Sequence, residues 1–433
     1  MAYAGIDLGG TYVKSGLVDS DDPGATMVAR TPTPYLRSQG GAAGVIDADA
    51  LLALVRQEAE RLASAGAQGI LISNQMHGVV LVDDALSPIS PVYTWQADLA
   101  AHLPGGTRGV VDAIAGRLGE PTRRALGNEL RPGLPIVTLA CLARSDGSGM
   151  DGATALSVGD FVTSTLSGRV VPCHTSNAAA SGVFDLERGE WSATALDAIG
   201  ASGIRMPDVL SQPEVVGHAL VGERSLPVAC AIGDQQASLA GADLADDELS
   251  VNIATGCQVS RRLGRADTSA PQLRPYLHDD YLATVTHIPA GRALNAFVRL
   301  LSGRDPGDDL AGDWTSLEHR ARDAAGGVRA NVAVFPAARD YPGCLEGLTE
   351  DTMTPGSVFR AAMEDVADRI AHAAGMVGTA GMERIAFSGG LAFRSELMRD
   401  MVTQRIGLPA RVVGEDADAL SGLARVARMI PAH

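Results

Sequence analysis

Residues 3–19 read YAGIDLGGTYVKSGLVD, two short runs of alternating apolar and polar character joined by a Gly-Gly pair. Glycine supplies the backbone freedom that a tight reversal needs, so the stretch predicts a β-hairpin. The same order returns at LSVNIATGCQVSRRLG, beginning at Leu249, where a Thr-Gly turn joins two strands. Hairpins at about 3–19 and 249–263 therefore each precede strand–helix units. After the first come the helical spacing of 49–65 (DALLALVRQEAERLASA) and the buried-strand run GILISNQM, and later PVACAIGD leads into the helical QQASLAGADLA. After the second come the long helical VFRAAMEDVADRIAHAAGMVGTAG, the strand ERIAFSGG and the helix FRSELMRDMVTQRIG. The repeat is faint in identity and clear in the order of its elements, which implies two similar α/β halves. GADLADDELS, near 241–250, is the expected boundary and gives segments 1–244 and 245–433. Small molecules commonly bind between such halves, so a cleft faced by both hairpin turns is the expected site.

Length and composition fit this reading. A chain of 433 residues exceeds one ordinary core and suggests two domains of about 150–250 residues. Hydrophobic content of 46% with 20% charged residues marks a folded chain rather than a disordered one. The net charge of -16 argues against nucleic acid or an anionic membrane surface as a partner, although a local nest of amides can still hold a phosphate. Cys141, Cys173, Cys230, Cys257 and Cys344 are widely spaced, with no C-x-x-C, and read as reduced thiols. The histidines show no metal-ligand spacing. With no secretory signal pattern before the first strand and no apolar run of bilayer length, a cytoplasmic setting is expected. One letter of the opening hairpin stands alone. Lys14 is the sole lysine of the chain, the remaining 34 of 35 Lys and Arg being arginine.

The chemistry concentrates in a few turns. Gly9 and Gly10 let amide N–H groups face an anion, and Asp7 just before them suits a hydrated Mg²⁺, with Thr11 or Lys14 meeting a phosphate. An edge hairpin with solvated Asp and Lys accounts for the same letters. The stretch is neither a P-loop nor a dinucleotide fingerprint. In IGDQQASLAG, Asp234 sits between a strand and a helix, where an N-cap or a general base toward a substrate hydroxyl is expected, and one residue can be both. Thr255 and Gly256 offer a second phosphate-facing turn, or a plain β-turn. Gly389 and Gly390 in FSGGLAFRSEL allow a flat adenosine to approach the backbone, or simply close strand–helix packing. NQMHG contributes Gln75 and His77, and YTWQAD contributes Trp95 and Gln96, groups able to bond and stack on a sugar. Taken singly, each reads as an ordinary core residue.

Together the motifs IDLGGTYVK, NQMHG, GDQQA, NIATGCQVS and FSGGLAFRS, closed by DADALSGLARVA, resemble in content and order the FGGY carbohydrate kinases of the actin/hexokinase superfamily, along nearly the whole chain. The resemblance implies a two-lobed, ribonuclease H-like α/β fold with a duplicated domain and an inter-lobe cleft, in which the γ-phosphate of MgATP passes to a sugar hydroxyl. It implies Asp7 as the metal-associated carboxylate, and Gly9, Gly10 and Thr11 as the first phosphate loop, with Lys14 at a position usually Lys or Arg. Asp234 becomes the catalytic base, Thr255 and Gly256 the second phosphate loop, and Gly389 and Gly390 the adenosine site. Gln75, His77, Trp95, Gln96 and Asn177 would line the ketose pocket with Asp234. Within the family, TWQ, NAAASGVF (177–184), VNIATGCQVS and RPYLHDDYLATVTHIPAGRALNAFV are similar to the sedoheptulokinase branch. The expected reaction is therefore phosphorylation of the terminal primary hydroxyl of sedoheptulose. A kinase for xylulose or ribulose, a non-catalytic sugar sensor on the same fold and an actin-like filament protein are the alternatives. The first loop reads Gly-Gly-Thr where the family more often has Gly-Thr-Thr. VAVFPAARDYPGCLEGL, with Arg339, stands where a Gly-Glu-Arg segment is usual. Sugar and ATP are the expected partners, with neither nucleic acid nor membrane, and a homodimer is among the expected states.

Overall fold

The computed structural model describes residues 1–22, 24–36, 44–146, 150–324, 326–335, 342–414 and 418–431. β1 (Ala2–Leu8) and β2 (Tyr12–Asp19) form the hairpin that the Gly-Gly pair predicts, and β3 (Ala25–Pro32) continues it antiparallel. β4 (Val45–Ile46) leads into α1 (Ala48–Ser64), which begins where the Asp47 side chain accepts the Ala50 N–H. β5 (Ile70–Asn74) then returns parallel to β1. Beyond β5 the sheet runs on through Arg224–Ala229 to Val215–Val221, and the short strand Ile232–Gly233 also pairs parallel with β5.

β1 is buried along almost all of its length, as a central strand covered on both faces must be. Its alternate residues Ala4, Ile6 and Leu8 pack with Leu51, Val55 and Leu62 of α1 and with Phe161 and Val162 of the helix Val158–Ser167. On the opposite face Tyr3 joins Val18, Leu71 and, from the C-terminal helix Ala419–Ala427, Leu420, Leu423 and Ala424. Fully burying such a leucine contributes about 1.5–3 kcal/mol relative to leaving it in water. A separate apolar cluster, built around Ile114, Leu139 and Ile199, fills the helical insertion between β5 and the later strands.

The chain divides into two units, residues 1–243 with 263–282 and 416–433, and residues 244–262 with 283–415. The first break falls within the expected GADLADDELS stretch. A single cut into 1–244 and 245–433 differs from this division, because two later segments belong to the first unit. For 416–433 the reason is apolar, since the C-terminal helix packs Leu420, Leu423 and Ala424 on the sheet face around Tyr3. The second unit repeats the plan of the first. Glu248–Ile253 and Gly256–Leu263 form an antiparallel hairpin, and Arg384–Ser388 pairs parallel with Glu248–Ile253 and with Ala410–Val412. The long helix Pro355–Val377 begins where Thr354 caps Ser357, with Pro355 at its first position. Arg339 lies outside the described residues.

Candidate active site

Three parallel strands of the first unit end side by side, with Leu8 of β1 opposite Asn74 of β5 and Asn74 opposite Gly233. The carboxyl ends of strands in such a sheet are where loops and helix starts face a ligand. Asp7 is the penultimate residue of β1, Gln75 and His77 follow β5, and Asp234 opens the helix Asp234–Gly241. Sheet pairing thus gathers residues that lie up to 227 positions apart (234 minus 7).

Asp7 is buried and accepts a 2.8 Å hydrogen bond from Ser73 Oγ. Burial, reinforced by the charge of Asp234, pushes its carboxyl up to about 7, against the opposing pull of Ser73 and Lys14. Asp234 is not the N-cap, a position that Gly233 holds, but the first helical residue. Its carboxylate accepts from the backbone N–H groups of Gln235 and Met76. Burial still outweighs these bonds and the nearby Arg274, lifting its pKa to about 6. A carboxylate with a pKa near neutrality is suited to accept a proton.

The hairpin turn meets the other candidates. A Cβ on Gly9 would lie 2.7 Å from the Tyr12 carbonyl oxygen, so only glycine fits there. Thr33 Oγ1 donates to the Gly9 carbonyl at 2.7 Å and the Tyr35 hydroxyl to that of Gly10 at 2.8 Å, fixing the turn. The Gln75 side-chain oxygen and the Trp95 indole nitrogen lie 3.4 and 3.6 Å from the place a Gly10 Cβ would occupy. Gln75 is buried, Thr11 is exposed at the turn, and Trp95 keeps 44% of its surface open. Gln96 is exposed as well, its N–H donating to Thr94 Oγ1.

Asn177 is placed differently from the expectation. Its amide nitrogen donates to Asn74 Oδ1 and to the Ala231 carbonyl, each at 3.0 Å, and its side chain is buried. With both N–H groups spent on protein, Asn177 buttresses the ends of two strands. His77 holds a left-handed backbone (φ 67°), and its Nδ1 lies 2.9 Å from the Ala180 carbonyl. A carbonyl only accepts, so Nδ1 carries the proton and Nε2 is left as an acceptor. Burial brings the ring's pKa down to about 3, which keeps it neutral. Lys14 faces Asp7 across the hairpin register and forms a 2.7 Å ion pair with Asp418.

A buried ionic cluster adjoins these residues. Arg274 Nη2 lies 2.9 and 2.8 Å from the two carboxylate oxygens of Glu129, and Arg131 Nε donates to Glu129 Oε1 at 3.0 Å. Arg274 Nη1 donates to the side-chain oxygen of Gln235, and His77 Nε2 is 3.9 Å from Glu129. Burial alone would raise the Glu129 carboxyl, but the Arg274 and Arg131 guanidiniums hold it well below the usual range.

On the second unit, Thr255 and Gly256 are exposed in the turn between Glu248–Ile253 and Gly256–Leu263. The Thr255 carbonyl accepts the Arg292 N–H at 2.8 Å from the start of the helix Gly291–Ser302. Gly389 follows the parallel strand Arg384–Ser388 with φ at 89°, and a Cβ there would lie 2.6 Å from the Ile253 carbonyl oxygen. Gly390 then begins the short helix Gly390–Arg394. Both turns therefore lie at the carboxyl end of this unit's parallel strands, as Asp7 and Asp234 do in the first. Among the described residues no three or more His, Cys, Asp or Glu side chains form a group able to hold a metal ion, and no helix is long and apolar enough to cross a membrane.

A model of the N-terminal domain of the FGGY family of carbohydrate kinases matches residues 2–241. The chain belongs to the FGGY family. It is 25% identical to the apulose kinase of Pectobacterium atrosepticum over 383 residues, covering 82% of this chain and 75% of that one. Among solved structures it is similar to the gluconate kinase of Lactobacillus acidophilus (TM-score 0.84, 18% identity, 98% of this chain and 88% of that one). It is also similar to the xylulose kinase of the same organism (0.82, 19%, 99% and 89%) and to Plasmodium falciparum glycerol kinase with ADP (0.82, 15%, 98% and 88%). The fold is thus the α/β fold of the actin/hexokinase type, with a sheet in each unit. The protein is an ATP-dependent carbohydrate kinase.

For this FGGY kinase, sequence reasoning missed Glu129, Arg131 and Arg274. The available signal was faint. Glu129 and Arg131 stand in the Gly- and Pro-punctuated loop GNELRPG, and Arg274 in a three-residue strand, Leu273–Pro275. Neither segment carries a period from which a buried charge could be read.

Proposed function

We propose that this kinase transfers the γ-phosphate of ATP to the terminal primary hydroxyl of a ketose, with sedoheptulose giving sedoheptulose 7-phosphate as the leading substrate. The observation that carries the reading is the placement of Asp234 at a helix start beside Asp7, in the same unit as Gly10, Gln75, His77 and Trp95. Asp234 takes the hydroxyl proton as the sugar oxygen bonds to the γ-phosphorus and the bond to ADP breaks. Phosphoryl transfer asks little more of a protein than this acceptor, positioning and charge neutralisation. His77 Nε2 accepts from a sugar hydroxyl, the Trp95 face packs on the sugar's C–H side, and Gln75 and Gln96 add polar contacts. Amides at Gly9, Gly10, Thr11, Thr255 and Gly256 serve the phosphates, and the open backbone at Gly389 and Gly390 serves adenosine.

Asp7 fits a Mg²⁺, which binds through one or two carboxylates together with water and phosphate oxygens. The strain of two adjacent buried carboxyls, Asp7 and Asp234, is what a cation would relieve. When bound, the ion would neutralise phosphate charge. A cytoplasmic setting, where ATP and reduced thiols coexist, accords with five cysteines that form no disulfide among the described residues.

The choice of sedoheptulose rests on the phrases TWQ, NAAASGVF and RPYLHDDY. ADP release measured over a panel of ketoses and polyols tests it, with the highest kcat/KM expected for sedoheptulose. A higher value for xylulose, ribulose or a polyol would replace the substrate. Asp234→Asn should bind ATP nearly as the parent does while losing sugar phosphorylation. Near-normal turnover in that variant would overturn the assignment of the base.

A further inference from the structure

The segment 263–282 returns from beyond the second hairpin to the first unit. There it is fastened on two sides. The Leu273 N–H donates to the Gly127 carbonyl at 2.9 Å and the Asn128 side chain to the Pro271 carbonyl at 3.0 Å, joining it to the loop of Glu129. On the other side the Gln236 side chain donates to the Pro275 carbonyl at 2.8 Å, joining it to the first turn of the Asp234 helix. Between these fastenings Arg274 is almost wholly buried, one guanidinium nitrogen on both oxygens of Glu129 and the other on Gln235. Its Nη1 also lies 4.0 Å from Met76 Sδ, and the Met76 N–H is one of the donors to the Asp234 carboxylate.

We propose that Arg274 is a positioning residue for phosphoryl transfer: anchored by Glu129, it grips Gln235 and so fixes the turn that presents Asp234 to the acceptor hydroxyl. Three features converge on this. A desolvated Arg–Glu pair is a poor device for stability, because hydrophobic residues of the same volume commonly do as well. The pair nevertheless spans 145 positions (274 minus 129), and its free arm reaches the residue next to Asp234. The planar fork of arginine can bind a carboxylate with one nitrogen and an amide oxygen with the other, whereas an ammonium cannot hold both in fixed geometry. Arg274 also faces Asp234 as a positive charge, in the direction that favours the ionised carboxylate.

The proposal rests on Asp234 as the base, and the test separates the two. The full-length kinase is assayed with ATP and the best ketose of the panel, as Gln235→Ala, Arg274→Met and Glu129→Gln/Arg274→Met. Gln235→Ala leaves the buried pair intact and should lower kcat by roughly tenfold with little change in Tm or in KM for ATP. Arg274→Met should lower kcat by about a hundredfold and also lower Tm, since Glu129 is left without its partner. The double variant removes that orphaned charge and should regain Tm while kcat stays low. Parent-like kcat in Gln235→Ala, or kcat returning with Tm in the double variant, would make the cluster merely structural and overturn the proposal. A silent Gln235→Ala together with an inactive Asp234→Asn would remove Arg274 from the mechanism and leave the base in place. An active Asp234→Asn would remove the base itself.

Discussion

The Lys14–Asp418 pair, with both side chains about one-third exposed (32% and 35%), ties the opening hairpin to the helix that Asp418 caps. Half-solvated pairs contribute little, so Lys14→Met should cost about 1 kcal/mol or less, read as a small fall in Tm, with Lys14→Arg close to the parent. A cost of several kcal/mol would show that the pair works as a buried one. Gly389 is less forgiving. A side chain there meets both the left-handed backbone and the Ile253 carbonyl, so Gly389→Ala should destabilise by about 1–3 kcal/mol in denaturant unfolding. For Asp234 the sign is set by its role. The base must be deprotonated, and its carboxyl is raised to about 6, so kcat/KM for the sugar should fall as pH drops through about 6. A profile flat from pH 7 to pH 5 would contradict this. At this scale the sequence showed which residue types could act and not what each would touch. The unpartnered look of Lys14 dissolves only when a residue 404 positions later is folded against it.

Helices and strands were more legible, because burial of one face leaves a period in the letters. The expected helix at 49–65 stands at Ala48–Ser64, and the hairpins stand where their glycines put them. The expected single helix from Phe393 is instead broken, because Ser395 leaves one short helix and caps the next, Glu396–Ile406. The helix Val158–Ser167 carries its own titration. Ser157 caps it by accepting the Asp160 N–H, while burial lifts the Asp160 carboxyl to about 7 against the hydrogen bond from the Ser157 hydroxyl. Folded protein keeps this proton between about pH 4 and pH 7 while the unfolded chain has released it, so the group lowers stability as pH rises through that window. Asp160→Asn cannot release a proton, so its stability relative to the parent should improve from pH 4.5 to pH 7.5 in urea titrations. A difference independent of pH would mean that Asp160 is ionised in the folded state. The loop of Glu129 had no such legibility, since irregular backbone leaves no period and its charges look solvated until burial is known.

Across the whole molecule, the duplication was readable from order alone, whereas the ownership of 263–282 and 416–433 was not. Which sheet a distant helix covers is decided by matching apolar surfaces, and no local signal records it. Leu420, Leu423 and Ala424 complete a face begun by Tyr3, Val18 and Leu71. A chain stopped after Gly414 should therefore bind a hydrophobic dye and elute as aggregate, while the full chain does neither. Dye-free, monodisperse behaviour of the shortened chain would show that the first unit closes without its late segment.

That late closure has a consequence in time. Translation delivers β1 first and its covering helix more than 400 residues later, by which point the second unit has already emerged. At about 5–20 residues per second, the sheet face around Tyr3 waits on the order of 20–80 seconds for its cover. Throughout that interval the nascent first unit keeps this apolar face open to water, so synonymous codons that slow the ribosome late in the message should lower the soluble yield of an otherwise unchanged enzyme.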